Sequence, residues 1–326
     1  MSLTQAADLF APVAAGMAAT ERWLADMHRE EPDSVRALLD HVGRFGGKRL
    51  RPALVHLCAG AVGRPTGEHA LLGAIVESLH LASLLHDDVL DRADTRRQMA
   101  TLNALHGNEV PILLGDLIYA RAFALSLTLS TPVAARELAR TSQAIVRGEI
   151  DQSFFRFSDE LDEARYLRVI RGKTAALYAA SCSLGARYAG GSEPEARALD
   201  AFGEGLGLAF QVIDDCLDLV GDERIVGKSL GTDLETGKVT LPIIRLARRL
   251  AEPDRVRLDR LLRGDLAGSR REALRNAFDL DPVVAECQAV ANEHVERCLA
   301  GARSLREGPE RASLLALCEF VLTRSH

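Results

Sequence analysis

At 326 residues the chain is long enough to bury a sizeable core. It shows no Pro/Gly/Ser-rich linker, low-complexity tract or change of composition between its halves, so it reads as one domain over residues 1–326. A net charge of −6 argues against a nucleic-acid partner held by bulk charge. Cys58, Cys182, Cys216, Cys287, Cys298 and Cys318 lack CxxC spacing and sit mostly in apolar stretches, which fits buried thiols in a reducing cytoplasm rather than a metal site. No signal peptide precedes the first helical pattern, and no apolar run reaches the roughly 18 residues of a transmembrane segment.

Helical periodicity dominates and alternating β-branched runs are nearly absent, so the fold class is all-α. In chain order, helices are expected at about 3–30, 33–42 and 49–61, the last entered through the Gly-rich turn 43–47. The next, about 68–91, ends in the run Glu77-Ser-Leu-His-Leu-Ala-Ser-Leu-Leu-His-Asp-Asp-Val-Leu-Asp91. A polar turn over 92–97 comes next, then helices near 98–105 and 109–129. Thr131-Pro132 reads as an N-cap with Pro at the first position of a helix to about Phe155. Long helices are predicted at 163–189 and 193–220. A Gly-rich loop spans 221–237, and helical pieces with Pro242 in their first turn continue to the C-terminus.

Two stripes carry the chemistry. Glu77, His80, Leu84, Asp87 and Asp91 follow 3,4,3,4 spacing and share one face of an otherwise apolar helix. Glu204, Gly207, Gln211, Asp214 and Asp218 repeat that spacing, and Asp-Asp-Cys-Leu-Asp matches Asp-Asp-Val-Leu-Asp in arrangement. Carboxylates at the end of a greasy helix cost free energy unless cations meet them. All-oxygen ligands suit Mg²⁺, which is shared between a few carboxylates and substrate phosphates. The alternative is two acidic helix ends paired with arginines. The lysines add an independent clue. Only Lys48, Lys173, Lys228 and Lys238 occur against 36 arginines, and Gly precedes each. A compact ammonium next to a residue without Cβ suits a phosphate contact. An Arg-favouring genome would explain the scarcity of Lys but not its shared context.

Asp-Asp-Val-Leu-Asp followed by Arg96-Arg97, together with Phe-Gln-Val-Ile-Asp-Asp-Cys-Leu-Asp, resembles the trans-isoprenyl diphosphate synthases, the polyprenyl synthetases. So do Gly46-Gly-Lys-Arg-Leu-Arg-Pro52, Lys173-Thr174 and Thr236-Gly-Lys-Val-Thr-Leu-Pro242. The resemblance implies an all-α fold of long helices around a central cavity, a homodimer, and head-to-tail condensation of isopentenyl diphosphate with an allylic diphosphate. It further implies about three Mg²⁺ ions, held by Asp87, Asp91 and Asp214, with Asp88, Asp215 and Asp218 in support. Arg96, Lys173, Lys228 and Lys238 would clamp the allylic diphosphate. Lys48, Arg51, His80 and Arg97 would hold that of isopentenyl diphosphate. Thr174 and Gln211 would stand near the allylic carbocation. The chain departs from the family pattern at Gln98, where Gly commonly follows the paired arginines, at Met99-Ala100, which replaces a more polar stretch, and at Ser229, where Pro is common.

Product length is read from the helix below Asp87. Ser83 lies about 6 Å deeper and Ala82 about 7.5 Å deeper, with Ala82 turned away on an ideal helix. The family's length determinant falls at and beside this fifth upstream position, where aromatic residues give short products. Small residues here point to a long-chain, hexaprenyl to decaprenyl, diphosphate of octaprenyl type. The ending Phe320-Val-Leu-Thr-Arg324 agrees. Phe154-Phe-Arg-Phe157 could instead floor the cavity, or belong to the core. The competing readings are a farnesyl or geranylgeranyl diphosphate synthase and a non-catalytic subunit of a heteromeric synthase. A terpene cyclase shares the metal logic but has no need of a second diphosphate site.

Overall fold

The computed structural model describes residues 9–222, 230–264, 268–303 and 305–323. It divides into two compact units, the first comprising Met1–Ser142, Leu177–Gly203 and Ala300–Leu317, the second Gln143–Ala176, Glu204–Leu299 and Cys318–His326.

In the first unit, a 3-10 turn leads into α1 (Ala14–Asp26), followed by α2 (Asp33–Gly43), α3 (Leu50–Val62) and α4 (Gly67–Leu90). Helix α3 is buried from Pro52 to Ala61 and α4 from His69 to Leu79, so both are central. Buried polar groups fix how these helices enter and cross. The Thr66 N–H donates to Nδ1 of His69 (2.8 Å), closing the N-terminus of α4, and the opposite ring nitrogen of His69 bonds Gly185 O (3.1 Å). Thr20 Oγ1 donates to Ala70 O (3.2 Å) and meets Nε2 of His56 (3.0 Å), so one hydroxyl joins α1, α3 and α4. By length and mean hydropathy α4 is apolar enough to cross a membrane, although Glu77 and His80 interrupt its apolar run. In the unit, 72% of its most apolar 18-residue window is buried.

After α4 the structure departs from the predicted turn and helix. Thr95–Arg96 (β1) pairs antiparallel with Met99–Ala100 (β2), with Thr95 opposite Ala100. Arg97 and Gln98 form the two-residue turn at φ +50° and +66°, the left-handed geometry that a twisted hairpin requires. Gln98 thus takes a backbone conformation that glycine adopts most readily. Helices α5 (Leu102–His106) and α6 (Glu109–Ser126) come next, and α6 packs along α4.

Helix α7 (Val133–Phe154) leads towards α8 (Glu163–Ile170). The single helix predicted over 163–189 is instead broken by a π turn at Arg171–Ala175 before α9 (Ala176–Tyr188). The remaining helices are α10 (Glu193–Val220), α11 (Thr232–Glu235), α12 (Leu241–Arg249), α13 (Asp254–Arg263), α14 (Arg270–Ala277), α15 (Asp281–Arg303) and α16 (Pro309–Thr323). In the aromatic cluster at the end of α7, Phe154 and Phe157 lie outside the core. Phe154 is 81% exposed, Phe157 is 45% exposed, and the Phe155 ring lies under the Arg165 guanidinium.

Candidate active site

In the first unit the acidic end of α4 presents two kinds of carboxylate. Asp87 and Asp91, one turn apart, are both half-buried. Asp88 is only 1% exposed and accepts bonds from Arg96 Nε (3.0 and 3.2 Å) and Nη2 (2.8 Å). The hairpin makes this possible by folding Arg96 back over the helix end. Thr101 Oγ1 (2.6 Å) and Asn103 Nδ2 (2.9 Å) secure it by donating to Ala93 O. Burial pushes the Asp88 carboxyl above its ordinary range, and Arg96 opposes that shift.

A basic group gathers on the His80 side of the same helix. Arg97 Nη1 bonds Phe45 O (2.8 Å) and Gly46 O, tying the hairpin turn to the loop that carries Lys48. The Arg51 guanidinium lies 4.6 Å from the centre of the Tyr178 ring, a cation–π contact that aims it. Burial, and then the positive charge of Arg51, Arg96, Arg97 and Arg49, holds His80 well below the usual imidazole range. At neutral pH His80 is therefore an uncharged hydrogen-bonding group among cations, an environment suited to an anion. The structure brings Arg51, His80, Arg96 and Arg97 together, while Lys48 stands exposed. It adds Arg49, which no sequence motif singles out. Arg49 pairs with buried Glu77 (2.9 Å) and with Glu21 (2.8 Å), so Glu77 serves the basic loop rather than a metal.

In the second unit the π turn sets out the site. A Cβ on Gly172 would lie 2.7 Å from Ala144 O, so only glycine lets the turn approach α7 this closely. The inserted residue sends two sequence neighbours to different helices. Lys173 pairs with Glu149 and bonds Gln152 Oε1 (3.1 Å) on α7, whereas Thr174 donates to Gln211 Oε1 (2.8 Å) on α10. Gln211 Nε2 then donates to Asp215 Oδ1 (2.7 Å), and the Tyr166 hydroxyl to Asp215 Oδ2 (2.7 Å). This network fixes the Gln211 amide with its oxygen towards Thr174. Asp215 is buried, and burial with the nearby Asp233 carboxylate pushes its pKa well up. Asp218, also buried, accepts from Thr232 Oγ1 (3.3 Å) and the Asp233 N–H (3.2 Å). Asp214 is half-buried. Lys238 Nζ lies 3.4 Å from Asp233 Oδ1. Lys228 falls outside the described residues. Glu149, Gln152 and Tyr166 carry no motif of their own, and their partners lie 21 to 49 positions away for Gln152 and Tyr166, so nothing local in the sequence marks them.

The donor chemistry fits Mg²⁺. Each cluster offers hard carboxylate oxygens, and Asp88, Asp215 and Asp218 are held by protein groups. Among the described residues no three carboxylate, His or Cys side chains converge closely enough to hold an ion unaided. Mg²⁺ takes few protein ligands and completes its shell with water and substrate phosphate. In the first unit the partly exposed Asp87 and Asp91, and in the second Asp214, are the carboxylates that would offer it oxygens. When bound, it supplies charge neutralisation for a departing diphosphate.

Carboxylates one turn apart at the end of an apolar helix, beside basic side chains suited to phosphate, fit a helical enzyme acting on a diphosphate with Mg²⁺. The chain belongs to the polyprenyl synthetase family, whose model matches residues 32–279. It is 34% identical over 325 residues, covering 97% of each protein, to the all-trans-nonaprenyl-diphosphate synthase (geranyl-diphosphate specific) of Rhodobacter capsulatus. It is 33% identical over 299 residues, 90% of this chain and 92% of the relative, to the short chain isoprenyl diphosphate synthase of Methanothermobacter thermautotrophicus. A polyprenyl synthase from Caulobacter crescentus CB15, crystallised with calcium and isoprenyl diphosphate, superposes with a TM-score of 0.93 at 32% identity over 98% of each chain.

Proposed function

We propose that this prenyltransferase extends an allylic diphosphate with isopentenyl diphosphate to a long-chain, hexaprenyl to decaprenyl, product. One observation carries the reading: no ring stands at positions 82 and 83 below Asp87. Ser83 is half-buried, and its hydroxyl is turned back onto its own helix, donating to His80 O (2.7 Å). Exposed Phe154 also removes one argument for a floor set by that cluster. The full-length likeness to a nonaprenyl synthase supports the same reading, while the likeness to a short-chain enzyme keeps farnesyl and geranylgeranyl products as the second reading.

In this proposal Asp87, Asp91 and Asp214 offer carboxylates to Mg²⁺, with Asp88, Asp215 and Asp218 in support. Lys48, Arg51, His80 and Arg97 hold isopentenyl diphosphate, and Lys173, Lys228 and Lys238 the allylic diphosphate. Arg96 helps neutralise that diphosphate while anchoring Asp88. Thr174 and Gln211 turn oxygen dipoles towards developing positive charge. We read the chain as one synthetase domain, because residues 32–279 take in parts of both units. Exposed Ile112, Leu113 and Leu127, on and just beyond α6, offer an apolar surface for a second copy, supporting a homodimer. Six buried cysteine thiols suit a reducing cytoplasm.

The test is incubation with Mg²⁺, isopentenyl diphosphate and each allylic primer in turn. Chain length is read by chromatography and assembly by light scattering. Products of about thirty to fifty carbons are expected. Products stopping at fifteen or twenty would refute the long-chain reading, and no product with any primer would refute catalysis by this chain alone.

A further inference from the structure

Phe157, just beyond α7 in the second unit, is a phenylalanine in the left-handed region, at φ +57°. That conformation is strained for a residue with a Cβ, and a bulky side chain there calls for a reason. Its neighbours supply one. The Phe157 N–H donates to Gly237 O (2.8 Å), and a Cβ on Gly237 would lie 2.5 Å from Cδ2 and Cε2 of the Phe157 ring. Gly237, itself at φ +73°, is thus held between a main-chain bond and a ring face.

The bonds around Gly237 reach the acidic cluster. The Lys238 N–H donates to Asp233 O (2.8 Å), and Lys238 Nζ lies 3.4 Å from Asp233 Oδ1. The Asp233 N–H donates to Asp218 Oδ2 (3.2 Å), and the Gly231 N–H to Asp218 O (2.9 Å). A continuous chain of bonds therefore runs from Phe157 through Gly237 and the 231–238 segment to the last carboxylate of the second acidic cluster. The same stretch of chain, a few residues earlier, supplies Glu149 and Gln152 to Lys173. Residues 149–157 thus brace two of the lysines assigned to diphosphate.

We propose that Phe157 is a positioning residue, its strained backbone and ring clamping Gly237 so that Lys238 and Asp218 are set for Mg²⁺ and the allylic diphosphate. The proposal rests on the function proposed above for those two residues. The ring touches no reacting group, and 45% of the residue remains exposed, so its removal leaves little cavity in the core.

Two variants separate positioning from bulk stability. Phe157→Gly removes the ring and relieves the left-handed strain, whereas Phe157→Tyr keeps the ring. Hydrogen exchange of residues 231–238 is measured without ligand and with Mg²⁺ plus inorganic diphosphate. Half-saturating Mg²⁺ and both substrate KM values are also measured. The glycine variant is expected to exchange faster over 231–238 and to lose the ligand-induced protection shown by wild type. Half-saturating Mg²⁺ and the allylic KM are expected to rise on the order of tenfold, with the isopentenyl diphosphate KM and the melting temperature nearly unchanged. Phe157→Tyr should restore all of these. Unchanged exchange in the glycine variant, or equal rises in both KM values, would overturn the proposal. If wild-type protein makes no prenyl product, the proposed function fails on that result, and the exchange data alone decide the clamp.

Discussion

Replacing Arg96 with Ala tests whether this arginine is a substrate contact alone or also a structural counter-ion. The substitution strips Asp88 of three hydrogen bonds of 2.8–3.2 Å while leaving its carboxylate in a residue only 1% exposed. Breaking a buried ion pair from one side costs about 3–5 kcal/mol. The Arg96 side chain is 27% exposed, so the pair is partly solvated and the lower end, about 3 kcal/mol, is expected. The penalty also carries a pH signature. Burial already raises the Asp88 pKa in the folded protein, and losing Arg96 raises it further. A folded-state pKa above the unfolded one destabilises at high pH, and that cost shrinks as pH falls through the folded value and is gone below the unfolded one. The Arg96→Ala deficit should therefore shrink on acidification, and Asp88→Asn in the same chain should recover part of it at neutral pH. Urea unfolding followed by circular dichroism at several pH values gives both quantities. A deficit below about 0.5 kcal/mol at neutral pH, with activity lost, would show that Arg96 acts on substrate only.

Packing and burial give two further tests. Ala82 is fully buried in a cluster with Val42, Phe45, Leu85, Leu102, Leu114 and Ile118. Ala82→Phe should overpack that cluster by about 1–3 kcal/mol, whereas Ser83→Phe should shorten the product at smaller cost, as read by melting curves and product chromatography. A full-stability Ala82→Phe enzyme with a shorter product would place the growing tail against position 82 instead. Buried His56 has its pKa lowered to about 4 by burial and by His69. It stays neutral in the fold but protonates when unfolded below its ordinary pKa near 6.5. Its share of stability is complete above pH ~6.5 and falls by about 3 kcal/mol as pH drops to ~4. His56→Gln should flatten the pH dependence of urea unfolding over that interval; an unaltered slope would contradict the argument.

Much of the candidate site was legible in sequence because its proposed chemistry follows helical spacing. Asp87 and Asp91, or Asp214 and Asp218, lie one turn apart wherever their helices go. The Gly-Lys pairs were equally visible, since a shared local context needs no fold to be noticed. The all-α class and most helix positions came from apolar periodicity. Tertiary structure decided which partners meet the buried carboxylates. Asp88 differs from Asp87 through Arg96, brought back by a hairpin where the sequence pattern suggests a turn and a helix. Asp215 differs from Asp214 through Tyr166, which lies 49 positions earlier. The division of the 163–189 helix by a π turn also depends on a non-local contact, between Gly172 and Ala144 on α7. Periodicity records which face of a helix is apolar. It carries no record of what meets that face, and here those meetings bury Asp88 against Arg96 and Asp215 against Tyr166.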